Sequence, residues 1–335
     1  MTVLTLEQAG PALRVQDLGR PGYIAQGVAP GGAADPLALL EAAALLDVPA
    51  PLPALEMAGV GGRFTCSAPM RFALTGAPMR AHVDGARIGW SETQLLLPGQ
   101  VLEIGAAEAG VYGYLTPAGG VQDTPWLDSF STFPGEAPLA SGAKLTLGDD
   151  SQVMAPPKRL KAAPRFSGGM VRVMPGPQTG LFAPETLTRV QRTLFTRSAR
   201  ANRQGVRLEF TGAPFEAQGA AGLASDFITA GDVQITGDGA PYVLLAECQT
   251  IGGYPRLGTV IPADLPKLAQ APMGAALQLQ LIDLAQADAL WQTPDVQLKQ
   301  LRAKVAHKTR DPHAMRDLLS YQLISGVTRG DEEGI

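Results

Sequence analysis

A cluster of polar residues that could bind a planar amide or carboxylate lies at residues 247–256, which read ECQTIGGYPR. It follows the apolar run 242–246, so a buried strand would deliver it to one end of a domain. Its paired glycines would let backbone N–H groups approach a ligand closely. The same string could equally be a tight turn made of ordinary turn residues. The candidate contacts are Gln249, Thr250, Gly252, Gly253, Tyr254 and Arg256.

A second cluster, at residues 16–23, reads QDLGRPGY. The carboxylate of Asp17 could act as a base, and the guanidinium of Arg20 could clamp an anion. The two residues could instead pair and hold a long loop, a role that surface ion pairs fill at about 0–1 kcal/mol. Their spacing alone favours the structural role.

A third candidate is Arg203, which precedes Gly205 and a predicted strand. Its guanidinium could face a cleft and clamp an anion, or it could be structural. Cys248 is not proposed as a nucleophile, because no histidine lies nearby in the sequence to activate it.

Several familiar catalytic motifs are missing from the sequence. It has no GxxxxGK[ST], GxGxxG, HExxH or GxSxG string, and its histidines are His82, His307 and His313. This disfavours a Ser-His-Asp triad, and no metal ligand is predicted. Catalysis would therefore rest on carboxylates, Arg, Lys, Tyr, amide side chains and backbone N–H groups.

The elements that must position these residues are mostly short strands. The 335 residues suffice for about two domains, and 39 Gly with 28 Pro predict many turns. Helices are predicted at 35–46, capped by Asp35, at 184–195, and in a tail where they start at Thr293 and Asp311. Residues 156–164 are predicted to be a linker. The predicted strands are 12–16, 63–66, 71–75, 81–83, 94–97, 101–104, 111–116, 171–174, 207–210, 233–236, 242–246 and 277–281.

The two halves of the chain also resemble each other. The string LTGAPM at 74–79 matches FTGAPF at 210–215, and two shorter glycine-containing matches follow in the same order. This pattern predicts a duplicated β module with a ligand site between the copies.

The composition limits the partners and the compartment. A net charge of −4 with 17% charged residues provides no basic excess for nucleic acid. The longest apolar stretch is too short to cross a membrane, and no secretion signal is visible. Two cysteines without CxxC spacing fit a reducing cytoplasm. We expect a cytoplasmic protein that binds neither nucleic acid nor membrane.

These clusters resemble the family of C-type 5-oxoprolinase subunits, also described as allophanate hydrolase subunit 2-like or biotin-dependent carboxyltransferase-like. The resemblance spans about residues 13–281. The strings that carry it include VQDLGRPGY at 15–23, GGAAD at 31–35, LTGA at 74–77, AGG at 118–120, the serines and threonine of 129–132, PGPQ at 175–178, and QT, GGYP and ADL between 249 and 265.

The resemblance implies a cyclophilin-like β barrel in each half. Together with the predicted elements, this gives a mainly β fold of two cyclophilin-like β-barrel domains with a few helices and a helical C-terminal tail, with expected bounds of 1–155, 165–285 and 286–335. The resemblance further implies a complex with a related B-type subunit and an A-type subunit that opens 5-oxoproline to glutamate with ATP, which this chain itself need not bind. The alternatives are a carboxyltransferase that uses biotin to carboxylate urea or a similar amide, and a non-catalytic module that binds a B-type kinase inhibitor.

Catalytic roles are expected for Asp17, Arg203, Gln249 and Tyr254. Substrate-binding roles are expected for Arg20, Asp35, Ser131, Thr132, Thr250, Gly252, Gly253 and Arg256. The sequence departs from the family pattern at five positions, where the family tends to have Asn, Arg, Asp, Thr and Lys. These positions are Ala43, Phe130, Asn202, Ile251 and Arg256.

Overall fold

The computed structural model describes residues 1–133, 135–219 and 222–308. Within these ranges the α-helices are α1 (Pro36–Leu46), α2 (Pro184–Arg192), α3 (Leu265–Gln270), α4 (Leu284–Leu290) and α5 (Pro294–Arg302). The strands are β1 (Thr2–Ala9), β2 (Arg14–Gln16), β3 (Ala54–Ala58), β4 (Val60–Cys66), β5 (Met70–Gly76), β6 (Met79–Val83), β7 (Ala86–Arg87), β8 (Glu92–Leu96), β9 (Leu102–Ala107), β10 (Tyr112–Pro117), β11 (Val121–Gln122), β12 (Lys144–Leu147), β13 (Lys158–Arg159), β14 (Gly169–Met174), β15 (Phe195–Ala201), β16 (Gly205–Glu209), β17 (Asp226–Phe227), β18 (Asp232–Ile235), β19 (Pro241–Leu244), β20 (Ile251–Gly252), β21 (Arg256–Val260), β22 (Ala276–Leu281) and β23 (Ala306–His307).

The N-terminal half consists of two seven-stranded sheets that enclose one apolar core. One sheet has the order β11-β12-β1-β4-β9-β6-β7 and the other β2-β3-β10-β5-β8-β13-β23. Leu6 and Phe64 from the first sheet and Phe72 and Leu115 from the second belong to the same buried cluster. Burial of these faces from water is the main force that holds the sheets together.

The C-terminal half is a closed seven-stranded barrel with the order β14-β21-β18-β19-β16-β15-β22. The alternation predicted at 277–281 places Leu277 and Leu279 in the core and leaves Gln278 and Gln280 exposed. The parallel pairing of β14 with β22 contributes to closing the barrel. The mainly β fold with few helices is therefore confirmed.

Helix α1 begins where the sequence predicts. The side chain of Asp35 accepts a hydrogen bond from the Ala38 backbone N–H, and Pro36 occupies the first turn. Residues 38–46 of this helix are all buried, so it has no exposed face over most of its length. The reason is that α1 packs on the N-terminal sheet containing β5, while Leu298 of α5 covers its other side.

Three other parts of the sequence prediction needed correction. The predicted helix 184–195 ends at Arg192, because the chain turns extended at Thr193 and Phe195 already belongs to β15. Helix α3, only six residues long, was not predicted. Strand β13 lies inside the predicted linker and pairs with β8 and β23, so it belongs to an N-terminal sheet.

The tail is confirmed in part. Helix α5 starts after Thr293, whose hydroxyl caps it, and α4 precedes it. The second predicted helix, starting at Asp311, lies outside the described residues. The domain bounds and the duplication stay predictions. The described residues include no helix that is both long enough and apolar enough to span a bilayer.

Candidate functional site

Arg203 lies at the centre of the junction between the two halves. It follows β15, and its Nε donates to Oε1 of Glu247 at 2.6 Å, Nη2 to the Gly32 carbonyl at 2.5 Å, and Nη1 to Glu56. Burial acts to lower the pKa of the Arg203 guanidinium, but the charges of Glu56 and Glu247 outweigh it and raise the pKa. The side chain is therefore a fixed cation rather than a proton donor.

Glu56, on β3, connects Arg203 to the start of α1. Its Oε2 accepts hydrogen bonds from the hydroxyl of Tyr114 at 2.7 Å and from the backbone of Ala34 at 2.8 Å. The same hydroxyl accepts from the Asp35 N–H at 2.9 Å. Burial and the charge of Glu56 raise the pKa of Tyr114 well above its usual value, so the phenol stays neutral.

Asp35 is fully buried and committed to structural contacts. Beyond capping α1, it accepts from Arg165 at 2.7 Å and from the Gln270 amide at 2.8 Å. Arg165 also forms a bidentate pair with Glu41. Gln270, from α3, accepts from the backbone N–H groups of residues 111 and 112. These contacts attach α3 of the C-terminal half to β10 of the N-terminal half.

Arg20 contacts the other side of the glycine loop at residues 30–32. It is 1% exposed, donates through Nη2 to the Ser131 carbonyl, and lies over the ring of Trp126 at 5.0 Å. Its Nε and Nη1 have no hydrogen-bond partner in the described part of the chain. Burial lowers the pKa of Arg20, partly offset by the acidic groups Asp17, Glu136 and Glu247.

Asp17 holds the loop that carries Arg20. Its Oδ1 accepts from the Gly19 N–H and the Ser129 hydroxyl, both at 2.7 Å, and from the Ser131 hydroxyl at 2.5 Å. Its Oδ2 accepts from the Phe130 N–H at 2.7 Å. Four donors therefore tie loop 17–20 to loop 129–131, and the predicted role of Asp17 as a base stays a prediction.

A cleft of about 350 Å³ lies between the halves, and the segment joining α4 to α5 forms part of its lining. Its walls are mostly carbon. Residues lining it include Leu18, Pro30, Gly31, Leu37 and Leu40 from the N-terminal half, Ala230, Leu245, Ala246 and Leu265 from the C-terminal half, and Leu290, Trp291 and Gln292 from the tail.

The loop 247–256 is divided between two places. Its start lies at the junction, where the Ala246 carbonyl accepts from the Gly31 N–H at 3.0 Å. Its end lies elsewhere: Gly253 and Tyr254 line a separate groove of about 590 Å³ with residues 214–217 and 235–239. Gly253 and Tyr254, for which substrate-binding and catalytic roles were expected, therefore do not line the cleft between the halves.

The remaining predicted contacts have their own partners or are exposed. Arg256 pairs with Asp226 and with Asp232 at 3.4 Å. A β-carbon on Gly252 would lie 2.7 Å from the Gln234 amide nitrogen, so this glycine makes room for a neighbouring side chain.

Three of the predicted site residues remain to be located in the structure. Thr132 donates its hydroxyl to the Val15 carbonyl, the Thr250 carbonyl accepts from the N–H of residue 228, and Gln249 is exposed. The structure thus gathers Arg20, Arg203 and Asp35 around the junction and leaves Tyr254 and Arg256 outside it.

Several residues that build the junction had no predicted role. Glu56 belongs to a string, Leu55-Glu56, that carries the family resemblance, but its partner is an arginine 147 positions later, and no role was predicted for it. Glu247 stood inside the predicted cluster, and a carboxylate directly after a buried strand was the available signal. In the described ranges, no group of three or more His, Cys, Asp or Glu residues is placed to hold a metal ion. The others missed are Arg165, Gln270 and Trp291.

Comparison with known proteins defines the class. Residues 26–281 match the family described as "Carboxyltransferase domain, subdomain A and B", and the chain belongs to this family. It is 30% identical over 298 residues to the C-type subunit of 5-oxoprolinase from Haemophilus influenzae, covering 88% of this chain and 96% of that protein. The predicted resemblance to C-type 5-oxoprolinase subunits is confirmed.

Solved structures agree on the fold. The crystal structure of TTHA0988 is 30% identical with a TM-score of 0.75, and the match covers 84% of this chain and 55% of that one. This chain thus spans about half of TTHA0988. The urea amidolyase of K. lactis has a TM-score of 0.78 at 22% identity, covering 92% of this chain and 21% of that one, which supports the fold alone.

Proposed function

We propose that this chain is the C-type subunit of an ATP-dependent 5-oxoprolinase, which opens the lactam of 5-oxoproline to glutamate. The observation that carries the proposal is coverage: the match to a C-type 5-oxoprolinase subunit extends over 96% of that protein, whereas the sequence match to the urea amidolyase of Saccharomyces cerevisiae extends over 18% of that protein. The proposed complex also contains a related B-type subunit and an A-type subunit, and ATP acts within it. A cytoplasmic location belongs to the proposal, in keeping with two free cysteines.

The chemistry required is the activation of a planar amide. Opening a lactam needs its carbonyl oxygen polarised or phosphorylated, and preorganised positive groups stabilise the charge that develops there. Arg203 and Arg20 contact the same glycine loop at 30–32 and supply such groups at the junction. We assign them to holding the substrate, since an arginine retains its charge at neutral pH.

Two carboxylates are candidates for moving the proton. Asp17 accepts one hydrogen bond at Oδ2 and three at Oδ1. Glu247 accepts from Arg203 at Oε1, and its Oε2 has no partner among the described residues. A carboxylate with a free oxygen can accept a proton from a bound substrate, which is what a general base must do.

Reconstitution tests the proposal. The chain is co-expressed with its B-type and A-type partners, and glutamate release from 5-oxoproline is measured with and without ATP. We expect ATP-dependent release that Arg203→Met and Glu247→Gln reduce and that Arg207→Met, a barrel arginine paired with Asp238, leaves unchanged. No release from a correctly assembled complex would reject the lactamase function and favour a non-catalytic module that binds the B-type partner.

A carboxyltransferase is the second candidate, favoured by the name of the matching family. In that case carboxybiotin on a separate carrier donates its carboxyl group to a nitrogen of urea or a similar amide. Transfer of labelled carboxyl from carboxybiotin to urea, without glutamate release, would establish this activity instead.

A further inference from the structure

The guanidinium of Arg20 has hydrogen-bonding capacity that the protein does not use. It is 1% exposed, yet Nε and Nη1 together carry three N–H bonds with no acceptor among the described residues. A buried donor without a partner is destabilising, so such groups are rare unless something else binds them.

One of the two open donor atoms, Nη1, lies next to Gly31. A β-carbon on Gly31 would lie 3.1 Å from Nη1 of Arg20, with no other heavy atom within 4 Å apart from its chain neighbours. Gly31 itself lines the cleft between the halves. The missing side chain of Gly31 therefore leaves an approach by which an acceptor in the cleft reaches Nη1.

The rest of the cleft suits the carbon body of a small molecule. Leu18, Leu37 and Leu245 line it, and Trp291 lies at its tail side, 60% exposed. The space of about 350 Å³ has apolar walls, and the guanidinium of Arg20 lies directly behind one of its lining residues, Gly31. This arrangement matches a ligand that has a compact apolar part and one negative group.

We propose that the cleft binds a small carboxylic acid, with the carboxylate hydrogen-bonded to Nη1 of Arg20 beside Gly31 and the carbon skeleton between the apolar walls. The identity of the acid rests on the proposed function: if the chain is a 5-oxoprolinase subunit, the acid is 5-oxoproline. The glycine at position 31 is then required for substrate access as well as for its backbone conformation, φ 64°.

Binding to the full chain tests the inference directly. Isothermal titration compares 5-oxoproline, which has the carboxylate, with 2-pyrrolidinone, which has the same ring without it, and with cyclopentanecarboxylate, which has the carboxylate without the lactam. We expect both acids to bind at least about tenfold more tightly than 2-pyrrolidinone, as a charge-assisted hydrogen bond predicts. Equal binding of the three compounds, or of none, overturns the site.

A pair of glycine variants separates access from folding. Gly31→Ala places a β-carbon against Nη1, whereas Gly27→Ala has the same kind of backbone, φ 78°, with nothing within 4 Å. An alanine in this left-handed backbone conformation should destabilise the folded protein to a similar degree at both positions. We expect Gly31→Ala to lose at least about tenfold in affinity for the acids and Gly27→Ala to keep it. Equal affinities in two folded variants contradict the proposal.

The same measurements distinguish this inference from the function on which it rests. If the chain binds both acids through Arg20 but the complex releases no glutamate, the site stands and the lactamase function falls. If glutamate is released and the KM for 5-oxoproline is unchanged in Gly31→Ala, the function stands and the carboxylate site falls.

Discussion

Arg203 in the C-terminal half donates a hydrogen bond from Nη1 to Glu56 in the N-terminal half. Glu56 is 1% exposed and is also held by Tyr114 and by the backbone of Ala34. Both charged groups are largely shielded from water, so each is stabilised mainly by the opposite charge of its partner. The pair therefore joins the halves by an interaction that is costly to break from either side.

Removal of the cation should destabilise the protein strongly. We expect Arg203→Met to lower the free energy of unfolding by about 3–5 kcal/mol, because it leaves Glu56 buried without its counter-charge. The matched control is Arg207→Met, whose partner Asp238 is 59% exposed, with an expected loss of about 0–1 kcal/mol. Urea denaturation measures both. A double variant with Glu56→Gln should recover part of the loss, and additive effects would contradict the coupling.

Asp17→Asn separates a structural role from a catalytic one. The amide cannot accept all four donors, so we expect a loss of about 1–3 kcal/mol in unfolding free energy and a higher KM as the loop carrying Arg20 loosens. Asp123→Asn, an exposed carboxylate, serves as the control. A fall in kcat of about 100-fold or more, with stability intact, would establish Asp17 as a base instead.

Neither cysteine should react in the folded protein. Burial raises the pKa of the Cys248 thiol to about 12 and raises the pKa of Cys66 as well, so at pH 8 both are protonated and inaccessible. Ellman's reagent should label no thiol in the native chain and two after unfolding in urea. Rapid labelling of one thiol under native conditions would contradict the buried environment.

Asp264 should contribute stability that is lost in acid. Burial pushes the pKa of Asp264 upward, but hydrogen bonds from the side chain and backbone of Arg172 outweigh it, so the folded-state pKa lies below the usual value of 3.8. The folded state then binds fewer protons than the unfolded state. The contribution is present above pH 3.8 and is lost as the pH falls through the lowered pKa. Asp264→Asn should flatten this acid loss in unfolding free energies measured from about pH 5 to pH 2.5, and parallel curves would contradict it.

Much of the fold was predictable because it depends on local signals. The Asp35 cap and Pro36 fixed the start of α1, and the alternation at 277–281 identified β22 and its core face. The burial of α1 on all sides was not predictable, since it depends on α5, which lies about 250 residues later. Glu41, polar in the middle of that helix, is explained only by its pairing with Arg165.

The candidate site was predictable in its parts and not in its assembly. Arg20 and Arg203 were selected by residue type and neighbouring glycines, and both contact the loop at 30–32. Their partners could not be selected, because pairing between Arg203 and Glu56 depends on how two β modules dock. Tyr254 was misplaced for the same reason: a loop of ten residues is long enough for its two ends to reach different surfaces.

The pairing of β13 with β23 has a consequence for synthesis of the chain. Strand β13 at Lys158–Arg159 and strand β23 at Ala306–His307 are neighbours in one sheet, with the whole C-terminal barrel between them in sequence. During synthesis, the residues of the barrel are made before β23, so the sheet that contains β13 lacks its edge strand over that time. Strand β13 therefore has no β23 partner until residues 306 and 307 have been made, and an unpaired strand edge is prone to mispairing with other chains.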